Sequence, residues 1–144
     1  MPYNTTNELT DYATARGITL TGDLAVLLQL ANDFIERQVY MGKRTDPEQV
    51  TSFPRTGLVI DGAPLNVTII PREIKAAECE AAIILDAGGD LMPSLEAQVK
   101  REKVDVLEVE YQTGARSQAY HQKVMSLLNP FLAATGNSVR VTRA

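Results

Sequence analysis

The chain is poor in the residue types that most site chemistry requires. Its 144 residues include one cysteine, Cys79, one histidine, His121, and no tryptophan. A single cysteine excludes an internal disulfide framework. One cysteine and one histidine cannot build a structural zinc site, which takes four such ligands. No apolar run approaches the ~20 residues that a membrane span needs. The N-terminal Met1-Pro2-Tyr3-Asn4 lacks the basic-then-apolar pattern of a secretory signal. These absences imply a reduced protein, cytoplasmic at the point of synthesis, with no membrane and no metal or cofactor. Hydrophobic residues at 44% and charged residues at 22% fit a single globular domain over residues 1–144, long enough to bury roughly 70% of the surface its unfolded chain exposes.

The charge is unevenly spread. Glu110 is the last acid, and Arg116, Lys123, Arg140 and Arg143 follow it. With −4 for the whole chain and +4 for the final 34 residues, the first 110 carry −8. An acidic body does not suit duplex DNA, which needs clustered cations. The basic C-terminal stretch suits an acidic partner surface or nucleic acid.

Periodicity predicts helices first, then extended pieces, then helices again. Thr5-Thr6-Asn7-Glu8 offers caps for a short helix over about 7–16 that buries Leu9, Tyr12 and Ala13, with Gly17 as its stop. Thr21 is a candidate cap for the second helix, with Asp23 in its first turn. Its stripe is Leu24, Leu27, Leu28, Ala31, Phe34, Ile35 and Val39, with Asp33, Glu36 and Arg37 on the other face. Four prolines between Met41 and Pro71 exclude a long helix there. Leu58-Val59-Ile60 before Asp61-Gly62 reads as a strand entering a turn. Leu65 to Ile70 reads as extended. Pro71 and Glu73 open a third helix with Ile74, Ala77, Ala81, Ile84 and Leu85 buried, and Gly88-Gly89 ends it. Val104 to Tyr111 reads as a strand. A last helix over about 116–134 should kink or end at Pro130. Ser138 to Thr142 is a β-prone tail.

Candidate chemistry is sparse. Cys79 lies between Glu78 and Glu80, whose carboxylates raise a thiol pKa and so oppose nucleophilic use. Two-residue spacing points Glu78 and Glu80 apart on a helix. Glu108 and Glu110 would share one strand face about 7 Å apart, more readily a solvated face than an acid pair. His121 has no evident orienting group for a nucleophile–base arrangement. Tyr3, Tyr12, Tyr40, Tyr111 and Tyr120 are dispersed rather than interleaved with bases, unlike a single-strand-binding platform. No catalytic constellation is visible, so the chain does not read as an enzyme.

The order of elements is more informative than any one residue. Phe34-Ile35-Glu36-Arg37-Gln38-Val39-Tyr40 is followed by Gly42-Lys43-Arg44, Glu48-Gln49 and Phe53-Pro54-Arg55, then Asp61-Gly62, Ile70-Pro71 and an alanine-rich helix. Over about residues 8–85 this arrangement resembles tailed-bacteriophage neck proteins. These are the head-completion or head–tail connector adaptors, many of them labelled DnaT-like single-stranded-DNA-binding proteins. The resemblance implies a mainly α fold. About four helices would form a bundle with a β-hairpin or extended arm, and residues 136–144 a β-prone C-terminal tail. It also implies a structural virion protein, made in the host cytoplasm and placed at the head–tail interface. Such adaptors form a homo-oligomeric ring, typically a dodecamer, beneath the portal protein. The ring extends the channel through which genomic DNA passes without sequence-specific binding, and it offers a platform to further neck or tail proteins. In that setting Val139, Arg140, Val141 and Arg143 are candidates for the portal interface, and Arg55 for the boundary between subunits. The alternative is a single-stranded-DNA-binding protein.

Overall fold

The computed structural model describes residues 1–91 and 122–134. Within them the fold is mainly α, with two small antiparallel hairpins. The expected strand over 104–111, with Glu108 and Glu110, lies outside the described residues, as do His121 and the tail over 136–144.

Helix α1 spans Thr6–Thr14. Thr5 accepts from the Glu8 amide while Glu8 accepts from the Thr5 amide, so both ends of a capping box are made. Helix α2 spans Leu24–Glu36. Its cap is Asp23, which accepts from the amides of Ala25 and Val26. Thr21, the expected cap, is instead held one turn earlier by Asp86, which accepts from the amides of Thr21 and Gly22. The helix ends three residues before Val39, which is exposed.

Two hairpins follow. β1 (Lys43–Arg44) pairs with β2 (Arg55–Thr56), and β3 (Val59–Ile60) pairs with β4 (Ala63–Pro64). The second turns on Asp61 and Gly62, both at positive φ (51° and 78°), the mirror-image turn that matches strand twist. The stretch from Leu65 to Ile70 is not the extended segment its β-branched residues suggest. Asn66 accepts from the amide and hydroxyl of Thr68, so the chain turns there.

Helix α3 spans Arg72–Asp86 after Pro71. Gly88 and Gly89 close it by donating to the carbonyls of Leu85 and Ile84, the two bonds of a Schellman stop. Helix α4 (122–128) gives way at Pro130 to a 3-10 turn over Asn129–Phe131. Past it, the chain pairs back on the segment after α2: Met41 donates to Phe131 and Ala133 to Val39, both at 2.9 Å.

One hydrophobic cluster joins these elements. Leu9, Leu28, Ile35, Phe53, Leu58, Ile74, Leu128 and Phe131 are all essentially buried within it. Phe53 is its hub. Its ring meets those of Tyr40 and Phe131 edge-on at 4.9 and 5.9 Å, arrangements each worth about 0.5–1.5 kcal/mol beyond burial. The loop carrying Phe53, with its cis Phe53–Pro54 peptide, is thereby anchored in the helical body.

Candidate functional site

Helix α3 is buried on nearly every side, and its Glu78-Cys79-Glu80 run is wholly buried. The two carboxylates face apart, as their spacing requires, and each organises a different part of the molecule.

Glu78 holds the N-terminal segment. Oε1 accepts from the Tyr3 amide (2.9 Å) and from Asn32 Nδ2 (3.0 Å). Oε2 accepts from the Asn4 amide (2.8 Å) and Asn4 Nδ2 (2.7 Å). All four donors are neutral. Asn32 also accepts from the Met1 amine at 3.1 Å, so residues 1–4 lie as a strap across α2 and α3. Tyr3 carries that strap to the arm. Its hydroxyl donates to Glu36 and accepts from the Phe53 amide, while Glu36 accepts from the Ser52 amide. Burial first, then the Glu36 hydrogen bond, push the Tyr3 hydroxyl well above the usual tyrosine range. The sequence places Glu36 on the solvent face; it is half-buried because the Tyr3 hydroxyl and the Ser52 amide bind it.

Glu80 faces α1 and α4. Tyr12 donates to Oε1 at 2.9 Å, Arg16 lies 3.6 Å from the same oxygen, and Lys123 lies 3.1 Å from Oε2. The Arg16 guanidinium covers the Tyr12 ring at 3.4 Å. Burial and Glu80 push the Tyr12 hydroxyl up to about 12. Between the carboxylates, burial and the charge of Glu78 push the Cys79 thiol up to about 12. This agrees with the sequence reading of an inert cysteine.

Arg55 sits at the root of the arm. Nε donates to the Met41 carbonyl, one terminal nitrogen to Ser52, and the other to Tyr40 and Gly42. Four of its five N–H groups thus clamp carbonyls of its own chain and fix where the first hairpin leaves α2. Val139, Arg140, Val141 and Arg143 lie outside the described residues.

Beside α1 and α3 lies an open groove of about 600 Å³, lined by Asn4, Glu8, Tyr12, Lys75, Cys79 and Leu127 among others. The Glu8–Lys75 ion pair (2.6 Å) bridges its wall. Among the described residues no three His, Cys, Asp or Glu side chains gather as metal ligands, and no helix is long and apolar enough to cross a membrane. Glu8, Glu36, Arg55, Glu78, Glu80 and Asp86 are engaged in anchoring backbone amides, carbonyls or other side chains.

Comparison with known families matches residues 2–144 to a model described as "Putative DnaT-like ssDNA binding protein". The chain belongs to that family. No curated protein and no solved structure matches it.

The strap was not legible as a functional unit, but a signal for it existed. Asn32 lies four after Leu28 and three before Ile35, and Glu78 lies four after Ile74 and three before Ala81. Each is a polar residue set inside an apolar stripe, and the two stripes face one another.

Proposed function

We propose that this member of the DnaT-like family is a structural virion protein of a tailed phage. In this reading it is a head-completion or head–tail adaptor that forms a homo-oligomeric ring beneath the portal protein. The ring extends the DNA channel and gives further neck or tail proteins a platform. No bond is made or broken in this role; the chain supplies shape and contact surfaces.

The observation that carries the proposal is the fate of the aromatic rings among the described residues, together with the charge balance. A single-stranded-DNA binder needs open rings on a basic groove. Here Tyr3, Tyr40, Phe53 and Phe131 are packed in the core, and Tyr12 lies under Arg16. The chain holds 18 acidic side chains against 14 basic ones, which suits a channel wall that phosphates slide past. The exposed side, by contrast, is fit for protein contacts. Two minimal hairpins have no further strand partner among the described residues, and Met41, Val50, Val59, Val67 and Ile69 stand exposed around them. The single-stranded-DNA reading is favoured by the family description.

Electron microscopy of the protein mixed with purified portal rings tests the proposal. The expected result is added ring density on one portal face. A bare portal, together with retention of single-stranded DNA in a gel shift at about 0.15 M salt, would overturn it in favour of the DNA-binding reading.

A further inference from the structure

Helix α2 has two apolar faces, and the folded chain covers one of them. Leu27, Leu28, Ala31, Phe34 and Ile35 are buried, whereas Val26 and Leu30 are 53% and 49% exposed. Their four-residue spacing puts them side by side. Asp23 precedes Val26 by three residues and Asp33 follows Leu30 by three, so the outward stripe reads acid, apolar, apolar, acid. Asp23 accepts from backbone amides and Asp33 from Gln29, all neutral donors, which leaves both negative charges standing. Asp86, bound to the amides of Thr21 and Gly22, adds a third at the same end of the helix.

The opposite pole has the complementary pattern. The hairpins begin beyond the C-terminus of α2, a helix of 13 residues and so about 20 Å long. Lys43 and Arg44 are exposed there, and neither ion-pairs with a described residue. Burial and then the charge of Arg44 pull the Arg55 guanidinium below its usual value. The Thr45 hydroxyl donates to the Val67 carbonyl at 2.9 Å, which fixes exposed Val67 and Ile69 beside this cationic strand.

We propose that the outward face of α2 is the docking surface for the hairpin pole of a second copy of this chain. Val67 and Ile69 of one copy seat on Val26 and Leu30 of the next, with Lys43 and Arg44 against Asp33 and Asp23. The inference rests on the ring reading and names the two surfaces that meet. They differ from one another, so the contact is head-to-tail and propagates, as ring closure demands. A polyanionic ligand would be repelled by the aspartates of α2, and a foreign partner would account for one pole only. A second copy accounts for both.

Cysteine cross-linking decides it. Leu30→Cys and Val67→Cys replace exposed side chains, and native Cys79 is buried and silent. Under mild oxidation the mixed pair should give a disulfide-linked dimer, each variant alone should stay monomeric, and the double variant should give a ladder. Adding Asp33→Lys to the first or Lys43→Glu to the second should cut the mixed dimer about tenfold, and adding both should restore it, as charge complementarity requires. Leu30→Cys or Val67→Cys linking to itself, or no mixed dimer, overturns the inference. If the wild-type chain still decorates portal rings in that case, the adaptor reading stands, so the two failures are distinguishable.

Discussion

Glu78 accepts four hydrogen bonds and is fully buried. Truncating it would strand the amides of Tyr3 and Asn4 and the amide groups of Asn4 and Asn32. Each buried donor left unpaired costs about 1–3 kcal/mol, less whatever water or relaxation recovers. Glu78→Ala should therefore lower stability by about 3–5 kcal/mol in urea unfolding, and release of the strap should show as faster hydrogen exchange at Tyr3 and Asn4. Glu78→Gln keeps the volume but sets an NH₂ group against donors, so it should fall between the two. Cys79, whose thiol is pushed up to about 12, should resist thiol reagents at pH 8 in the native protein and react once urea unfolds it. Glu8 gives the pH dependence its sign. The hydrogen bond to Lys75, then the Thr5 amide, hold its carboxyl down at about 2 from the ordinary 4.5. A depressed folded-state pKa contributes stability that is present above 4.5 and lost as pH falls towards 2. Thermal melts should show that loss, and Glu8→Gln should flatten it. The effect should be small because the pair is partly exposed and screened by solvent.

At the scale of elements, the helices were legible because their stripes, caps and stops are local signals. Thr5 with Glu8, Pro71 with Glu73, and Gly88-Gly89 all act where the sequence places them. The sequence points to Thr21 as the cap of α2 because Thr21 and Asp23 both belong to the capping residue types. What separates them is Asp86, 65 residues away, which claims the Thr21 amide. Glu36 was misread for a similar reason: its partners Tyr3 and Ser52 come from distant segments. Gly42 is a comparable case in the arm. It sits at φ 73°, and a Cβ there would collide with the Thr56 carbonyl oxygen across the first hairpin. Gly42→Ala combines left-handed strain of about 1 kcal/mol with that clash. It should destabilise by at least about 2 kcal/mol, read by chemical denaturation, and should loosen the arm before the helical body. The carbonyl clamp of Arg55 would be lost with it, since Gly42 is one of the groups it holds.

At the scale of the whole molecule, contacts between the segments after α2 and after α4 close the described core. Its last links are the bonds of Met41 to Phe131 and of Ala133 to Val39, and Leu128 and Phe131 are buried beneath them. The C-terminal tail carries Arg140 and Arg143 on a chain whose first 110 residues have net charge −8. Long-range attraction between opposite charges steers association more than it holds a fold together. Removing residues 136–144 should therefore leave the melting temperature within about 2 °C of the parent's, because the core contacts that carry the described fold are made among residues 1–91 and 122–134. The same truncation should abolish decoration of portal-containing heads. Raising salt should weaken binding of the full chain before it unfolds, since exposed charges are screened within ~8 Å at physiological ionic strength. A truncated protein that still decorates heads would move portal recognition from the tail to another surface of the chain.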